Sequence, residues 1–409
     1  MISVSEAKRL ILENTNTFSP SRNSLSESLG LVLAENVFSK DNIPFADNSA
    51  MDGYAVKFED TKGASKENPV KLKMSEVVAA GHSSNQVLQN GEVVKIMTGA
   101  PIPNGADSVV IVEQTEKNGD EVSIFREAKL AENIRRAGED ISVGMQVLKK
   151  GKIISPADLG VLASVGNANP LSFRKPKIAV LATGDEIISP EEPLSLGKVR
   201  NSNEFTLCGL VEEFGGKAIS FGIGKDSKPE LTKQVLEALE TADILVTSGG
   251  VSMGDFDFVQ EVFPEIGVKI VFHKINVKPG KPVLFGTFGE KLVFGLPGNP
   301  VSSMVSFLKF VVPAMKKMSG NANFSLPKVQ AKFVGSFSKR DNKTHFLRGI
   351  LEKNENGFSV SLTGRQGSGI LRSMSLANCL IEIGEEQKEI SEGQEVTAQI
   401  LDKIFLYLS

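Results

Sequence analysis

The sequence predicts a multidomain α/β plus β fold, in which a central sheet of mostly parallel strands is flanked by smaller β regions. Three observations lead to this prediction. A chain of 409 residues is too long for a single hydrophobic core. Apolar runs alternate with helical patterns over residues 174–320, which is typical of βαβ units. Short alternating strands, separated by glycine, proline and asparagine, occupy much of the chain on either side.

The part of the chain before residue 174 is predicted to begin with an amphipathic helix and a connection, within residues 1–30. Residues 150–165 are also helical in pattern, with Pro156 in the first turn and Gly166 as the stop. Short strands are predicted at Leu31–Val37, Val70–Val78, Glu92–Met97, Ser108–Glu113 and Glu121–Ile124.

Four strands and three helices are predicted in the central region. The strands are the apolar runs KIAVLAT, KAISFGIG, DILVTS and KLVFGL, and the helices cover Asn203–Phe214, Pro229–Leu239 and Val301–Lys317. Beyond Pro327, strands at Val329–Phe333, Phe358–Leu362 and Glu395–Ile400 predict a small β-barrel or sandwich.

Composition excludes several classes of protein. The net charge of −3, from 46 basic and 49 acidic residues, gives no electrostatic reason to expect nucleic-acid binding. The best candidate for a membrane span, Phe307–Met315, is short and contains Lys309 and Pro313. The first residues, MISVSEAKRL, lack the apolar core of a signal peptide. A cytoplasmic protein with neither a nucleic-acid nor a membrane partner is therefore expected.

The sequence contains only two cysteines and three histidines, and none has the spacing of a zinc or iron–sulfur site. Cys208 lies in an apolar helical pattern and is predicted to be inert core. An enzyme of this composition must work with carboxylates, hydroxyls, lysines and a hard metal ion.

Three unusual loops follow strands of the predicted sheet: Thr183–Glu186, Ser248–Ser252 and Leu296–Pro300. Ligands bind beyond the carboxyl ends of such strands. Gly249 and Gly250 would let backbone amides approach an anion at the start of a helix. Pro300 suits a first helical position with Asn299 as its cap. Each loop alone is better explained as a tight turn, but the three together favour a phosphate-bearing ligand. Dinucleotide and P-loop glycine motifs are absent from the sequence.

Charged residues add two further hypotheses. The acidic residues Asp185, Glu186, Asp226, Asp255 and Asp257 are predicted at the same sheet edge, where carboxylates beside a phosphate favour Mg²⁺. Solvated loop acids are an equally good interpretation for Asp185 and Asp255. In KPGKP, Lys278 and Lys281 lie in a proline-stiffened loop that suits an anion, although a rigid surface loop is the alternative.

Two N-terminal segments, Phe45–Ala55 and Lys95–Pro101, are explained by sequence physics alone as turns. With the rest of the chain, however, they form an ordered set of motifs. DNSAMDGYA, IMTGAPIP, RRAGEDI, TGDE, TSGGVSMGDFD, KPGKP, GLPGNPVS, FLRG and GRQGSGILRSMS occur in this order across nearly the whole chain. This set resembles the molybdopterin molybdotransferases, the family of MoeA and the gephyrin E domain.

The resemblance implies a reaction. The substrates would be adenylylated molybdopterin and molybdate. Molybdate would enter the dithiolene of the pterin, with Mg²⁺-dependent release of AMP. The low cysteine and histidine count agrees, because the sulfur ligands of molybdenum belong to the substrate.

The resemblance also implies roles for individual residues. Catalytic roles fall to Asp52, Thr98, Asp140, Glu186 and Asp257, and magnesium binding to Asp226 and Asp257. The phosphate would be held by Gly249, Gly250 and Ser252, and the molybdate by Lys278, Lys281, Arg348 and Ser368. Pro297, Gly298, Asn299 and Pro300 would shape the pterin pocket.

The implied fold is a homodimer of four-domain subunits with a central three-layer α/β molybdopterin-binding domain. The implied domains are an elongated one (1–44 and 138–173), an inserted β-domain (45–137), the α/β domain (174–322) and a C-terminal β-barrel (323–409). Transient contacts with a molybdopterin adenylyltransferase and with apo-molybdoenzymes are implied as well.

Two alternative functions stay open, namely a molybdopterin adenylyltransferase and a gephyrin-like scaffold that binds peptides. The sequence does not separate molybdate from tungstate.

Overall fold

The computed structural model describes residues 1–224, 227–251, 258–355 and 357–401. Its central element is a six-stranded sheet of β1 (Lys177–Thr183), β2 (Lys217–Gly224), β3 (Ile244–Ser248), β4 (Lys269–His273), β5 (Leu284–Phe288) and β6 (Lys291–Leu296). The strand order is β2-β1-β3-β6-β5-β4, and the first four strands in that order are parallel. The expected parallel strands are thus confirmed, with their carboxyl ends at one edge.

Two antiparallel strands, β5 and β4, complete the sheet and were not predicted. The chain turns between β5 and β6 at Gly289, whose φ is 58°. Because this hairpin needs no crossover helix, the alternation of strands and helices that predicted the other four gives no signal here.

Helices cover both faces of the central sheet. They are Asn203–Glu213, Lys228–Thr241, Phe258–Glu265 and a long element running from Pro300–Ser306 through a π-helical turn, Phe307–Val311, into Val312–Met318. Successive residues of β1 point to opposite faces. Ile178 and Val180 pack on the face of the first helix, and Ala179 and Leu181 on the face of the second. This is the expected three-layer architecture.

The N-terminal part begins with the helix Val4–Glu13, where Ser3 caps the first turn by accepting from Glu6 N at 3.1 Å. Small antiparallel pairings then join residues on either side of a β-domain: Ser21–Arg22 and Val32–Leu33 with Leu171–Phe173, Val37–Phe38 with Gln146–Leu148, and Asn48–Ser49 with Ile134–Arg135. The helix predicted within 150–165 is observed at Pro156–Ser164, after the Ser155 cap.

The β-domain inserted between these pairings is a six-stranded sheet. In spatial order its strands are Ser108–Ile111, Gly53–Val56, Glu92–Ile96, Val70–Val78, Glu121–Ile124 and Thr115–Asn118. Short 3₁₀ turns lie at Leu25–Glu27, Phe58–Thr61 and Val112–Gln114. The elongated arrangement with an insertion agrees with the expected fold class.

The C-terminal part is a closed barrel of five strands. Of the two predicted architectures, barrel and sandwich, the barrel is therefore the observed one. The strands in order are Thr344–Asn354, Gly357–Leu362, Lys328–Val334, Glu395–Ile400 and Cys379–Ile383, and the last pairs with the first. Val277–Lys278 adds to the outside of this sheet. Three other short pieces are the pair Phe337–Ser338 with Glu389–Ile390, the pair Ile187–Ile188 with Val199–Arg200, and the helix Arg372–Leu376.

Within the described ranges, no helix is long and apolar enough to cross a bilayer. The segment Phe307–Met315 is instead part of the core, where Phe307 and Phe310 are buried. The four domain boundaries proposed above stay a prediction.

Candidate functional site

The three loops predicted to meet at the sheet edge do line one crevice of about 480 Å³. Its described lining consists of Thr183, Gly184, Glu186, Ile187, Val199, Gly249, Gly250, Val251, Pro282, Pro297, Gly298, Asn299 and Pro300. Asn299 is the N-cap residue of the following helix and Pro300 its first residue, as predicted, although the Asn299 side chain makes no capping hydrogen bond. The crevice therefore brings together the loops after β1, β3 and β6.

Gly249 joins these loops at close range. Its φ is 105°, and an added Cβ would lie 2.3 Å from the carbonyl oxygen of Thr183. Its N–H donates to the Leu296 carbonyl at 2.9 Å. That N–H is thus used between neighbouring loops and not on an anion, which corrects one part of the expectation for Gly249. The glycine is needed for close packing of the loops.

Asn203 is a buried residue that the sequence interpretation missed. Its Nδ2 donates to Ser248 Oγ and to the Gly298 carbonyl, both at 2.7 Å. The amide thereby fixes the loop after β3 against the loop after β6. A polar residue at the start of the apolar helix Asn203–Glu213 was the available signal.

The crevice offers oxygen ligands. An added Cβ on Gly184 would lie 2.7 Å from both carboxylate oxygens of Glu186, so that carboxylate folds back over its own loop. The buried hydroxyl of Thr183 has no hydrogen-bond partner among the described residues. These donors suit Mg²⁺ by ligand type. No group of three metal-binding side chains is found within the described ranges, and Asp226, Ser252, Asp255 and Asp257 lie outside them.

A second cavity of about 660 Å³ lies between the KPGKP loop and the barrel. Its described lining is Lys278, Pro279, Phe337, Ser338, Lys339, Arg340, Asp341, His345, Phe346, Leu347, Arg348, Gln366 and Gly367. Four of these side chains are lysine or arginine and one is a carboxylate. This cavity, named here the basic cavity, therefore favours an anion.

Arg348 is the most deeply placed cation of the basic cavity. It is fully buried, and its guanidinium donates to Ser373 Oγ and to the Gly367 carbonyl, both at 3.0 Å. Burial lowers the pKa of Arg348 to about 10, so the side chain stays charged at neutral pH. In the part of the chain that the structure describes, Arg348 lines the basic cavity and makes no ion pair.

Asp341 is the counter-charge within the basic cavity. One carboxylate oxygen lies 2.7 Å from His345 Nε2, and the other lies 3.8 Å from Lys278 Nζ. Burial raises the pKa of Asp341, whereas the hydrogen bond with His345 lowers it. The net result is a pKa below the ordinary value of aspartate. Sequence interpretation singled out neither Asp341 nor His345, because nothing local distinguishes them from loop residues.

The crevice and the basic cavity are neighbours along the chain. Lys278 and Pro279 line the basic cavity, whereas Pro282 of the same loop lines the crevice. Ser368, one residue beyond Gly367, accepts a backbone hydrogen bond from Val301 N at 3.1 Å. Lys281 between them is exposed. The residues predicted to hold molybdate thus lie where the crevice and the basic cavity adjoin. Two of them, Lys281 and Ser368, are not in the described lining of the basic cavity.

The N-terminal motifs form a separate group. Asp52 Oδ1 accepts from Thr98 N at 2.6 Å and from Thr98 Oγ1 at 2.7 Å. Nearby strand pairing joins Asn48–Ser49 to Ile134–Arg135, and Asp47 pairs with Arg136. The motifs DNSAMDGYA, IMTGAPIP and RRAGEDI are therefore brought together. Asp140 is exposed on the loop that follows Arg136. None of these residues lines the crevice or the basic cavity.

The contact between Asp52 and Thr98 makes a pH-dependent prediction. The backbone N–H of Thr98, followed by its hydroxyl, lowers the pKa of the Asp52 carboxyl. The ionised Asp52 carboxylate therefore stabilises the fold at any pH above the ordinary pKa of aspartate. This stabilisation is lost as the pH falls through the lower pKa that Asp52 has in the folded protein. We expect Thr98→Val to raise the pKa of Asp52, measured by NMR titration of the carboxyl carbon. An unchanged titration would show that the hydroxyl is not a significant donor.

Cys208, predicted to be inert core, is half-buried, and Cys379 is buried. Burial raises the pKa of Cys208 to about 11 and that of Cys379 to about 12, so neither thiol is ionised at neutral pH.

Comparison with known proteins adds a result that covers the whole chain. Family models match residues 2–166 as the MoeA N-terminal region (domains I and II), residues 179–317 as a probable molybdopterin binding domain, and residues 330–401 as the MoeA C-terminal region (domain IV). A molybdopterin molybdenumtransferase of Staphylococcus aureus strain MSSA476 is 35% identical over 398 residues, which cover 97% of this chain and 94% of that protein. The chain belongs to the MoeA family.

Further relatives agree with this membership. A molybdopterin molybdenumtransferase of Haemophilus influenzae is 36% identical over 378 residues, covering 92% of each chain. A crystal structure of a molybdopterin biosynthesis MoeA protein from Pyrococcus horikoshii OT3 has 32% identity and a TM-score of 0.76, covering 98% of this chain and all of that one. Family membership identifies the chain as a transferase of molybdenum cofactor biosynthesis and confirms the expected fold class.

Proposed function

We propose that this MoeA-family chain inserts molybdate into the dithiolene of adenylylated molybdopterin and releases AMP with the help of Mg²⁺. The observation that carries the proposal is the junction of two unlike cavities. One is an oxygen-lined crevice at the carboxyl ends of β1, β3 and β6, and the other is basic with the buried charge of Arg348. A phosphate-bearing pterin and a tetrahedral dianion could thus bind side by side.

In this proposal the crevice holds the pterin and its phosphates. Gly249 keeps the loops close together, and Pro297–Pro300 would form one wall of the pterin pocket. Glu186 and the Thr183 hydroxyl are the described oxygen donors for Mg²⁺, and Asp226 and Asp257 are assigned to it by resemblance. Bound Mg²⁺ would neutralise the charge on the phosphate oxygens.

The basic cavity holds molybdate in the same proposal. Arg348 would donate charge-assisted hydrogen bonds to the oxyanion, and Lys278 and Lys281 would add positive charge at the mouth. Asp341 and His345 would hold Lys278 in place. Ser368 would act from the loop that bonds to Val301.

The nearest competing function, adenylylation of molybdopterin, differs in nucleotide use. An adenylyltransferase consumes ATP, whereas the proposed reaction starts from the adenylylated pterin and yields AMP. Incubation with ATP and molybdopterin is expected to leave ATP unchanged, and incubation with adenylylated molybdopterin is expected to produce AMP. ATP consumption would favour the adenylyltransferase. A scaffold function has no specific observation in its favour.

We further propose that the active unit is a homodimer in the cytoplasm, which meets a molybdopterin adenylyltransferase and apo-molybdoenzymes transiently. Asp52 and Thr98 match functional positions of the family, yet they line neither described cavity. A shared site explains this separation, because the N-terminal group of one subunit would close over the crevice of the other. A two-fold interface would create two such sites.

The shared site predicts an unusual result for two inactive variants, Asp52→Ala and Asp257→Ala. In a mixed dimer, one site would carry both changes and the other site neither. Co-expression with two different tags is therefore expected to restore AMP release, up to about half of the wild-type value. If both residues act within one subunit, every site of a confirmed heterodimer is damaged and no activity returns.

A further inference from the structure

A third cavity, of about 300 Å³, lies on a different part of the molecule, between the N-terminal helix, the π-helical turn and the barrel. Its polar lining residues are Lys8, Lys309, Asn323, Ser325, Lys328 and Gln399. Three lysines from three separate elements contribute to this lining, and none of its described residues is acidic. Neither the crevice nor the basic cavity shares a described residue with it.

Lys309 is buried at this cavity, with its side chain 5% exposed. Its ammonium donates to Gln399 Oε1 and lies 4.5 Å from the centre of the Phe346 ring. The π-helical turn Phe307–Val311 places this lysine within an otherwise apolar, buried helix. Single π-helical turns occur often at functional sites. A lysine in such a helix is costly unless something compensates its charge.

Among the residues that the structure describes, amino groups outnumber carboxylates around Lys309. Lys8 and Lys328 line the same cavity as Lys309, and repulsion from their amino groups lowers the pKa of Lys309. Opposing them is Glu382, 3.8 Å from Lys309 Nζ, whose carboxylate also accepts from Gln399. One carboxylate thus faces three amines. An anion in the cavity would remove the deficit.

We propose that this cavity is a binding site for a tetrahedral oxyanion, a free ion or the phosphate group of a small metabolite, held by Lys8, Lys309 and Lys328. The cavity volume is at the lower end of the range for small-molecule sites, which fits a small ligand. Asn323 and Ser325 provide neutral polar groups beside the lysines.

Binding at this site is coupled to proton uptake. Burial, followed by repulsion from Lys8, lowers the pKa of Lys309 to about 7. The pKa of Lys8 is also lowered, chiefly by burial. A bound anion favours the charged amines, so binding strengthens as the pH falls through about 7. The facing groups that set this dependence are Lys8, Lys328 and Glu382.

The test is calorimetric titration of the full-length chain with sodium sulfate, in the background Lys278→Ala with Lys281→Ala, which weakens sulfate binding at the basic cavity. Sulfate stays doubly charged across the pH range, so any pH effect arises from the protein. We expect tighter binding below pH 7 than above it, loss of this binding in Lys309→Met, and roughly tenfold weaker binding in Lys8→Met.

Two further variants separate a ligand site from a structural ion pair. The exposed Lys233, which pairs with Glu237 at 3.9 Å on the helix Lys228–Thr241, provides the matched control Lys233→Met, expected to bind sulfate normally. Glu382→Gln removes the competing carboxylate and is expected to tighten sulfate binding. A purely structural role for Lys309 would instead leave sulfate affinity unchanged in that variant.

Competition by AMP that disappears in Lys309→Met would identify a nucleoside phosphate as the ligand type, and its absence would exclude that type and leave a smaller oxyanion. Either result supports the site. Sulfate binding that is absent, or equal in the background protein and in Lys309→Met, would overturn the proposal. Proper folding of the variants is checked by thermal unfolding, and Lys8→Met, at a half-buried position, provides a second measurement if Lys309→Met unfolds.

Discussion

Gly249→Ala is expected to lower AMP release from adenylylated molybdopterin by roughly a hundredfold. The new Cβ would lie 2.3 Å from the Thr183 carbonyl oxygen, which is part of the backbone and cannot turn aside. Either the loop after β1 or the loop after β3 must therefore move. A displacement of about 1 Å among positioning groups is enough for a loss of this size.

The control for this variant must also replace a glycine of positive φ, but without the steric contact. Gly289, in the hairpin at the far end of β6, has a φ of 58° and nothing within 4 Å of an added Cβ. Strain of this type costs on the order of 1–3 kcal/mol. We expect Gly289→Ala to lose some thermal stability and keep its activity. Equal losses of activity in the two variants would show that the effect is one of folding.

Arg348→Met is expected to raise the molybdate concentration needed for half-maximal AMP release by roughly tenfold to a hundredfold. A charge-assisted hydrogen bond contributes on the order of 1.5–3 kcal/mol, which corresponds to that range. Binding of the adenylylated pterin should change little, because Arg348 does not line the crevice. The measurement is a molybdate titration of AMP release at saturating pterin.

Thermal stability separates ligand binding from folding in this variant as well. Arg348 is buried, and burial is the cause that lowers its pKa to about 10. Arg348→Met removes a buried charge, which stabilises the fold, and also the hydrogen bonds to Ser373 and Gly367, which destabilises it, so only a small change in melting temperature is expected. Arg9→Met, which removes exposed ion pairs with Glu6 and Glu13, is the control with no expected effect on molybdate. An unaltered molybdate titration for Arg348→Met would rule out this arginine as a ligand.

Much of the central fold could be predicted because β1, β3 and β6 are continuous apolar runs, each followed by a polar loop. Such runs are buried on both faces and have few alternative structures. The strand Thr344–Asn354 was missed for a related reason. Its first six residues are all buried, including the polar Thr344, His345 and Arg348, so neither alternation nor an apolar run marks it.

The candidate site was predictable in part. The loops at the carboxyl ends of parallel strands must meet at one edge, so the crevice follows from topology alone. The basic cavity does not follow in this way, because it needs the barrel to pack against the KPGKP loop. The carboxylate of Asp341 lies beside Lys278, which is more than 60 positions away in sequence. The buried Arg348 side chain bonds to Gly367 and Ser373, which are 19 and 25 positions away. Family resemblance, and not local physics, singled out Arg348.

The most direct test of the proposed reaction is the release of AMP from adenylylated molybdopterin by the purified chain, with molybdate and Mg²⁺ supplied separately and together. The proposal predicts AMP, with one molybdenum bound per pterin, when both are present, and little AMP when either is left out. Sulfate in place of molybdate should not substitute, because it cannot accept the dithiolene sulfurs as ligands. AMP release at full rate without molybdate, or no release when both are present, would contradict the proposed function.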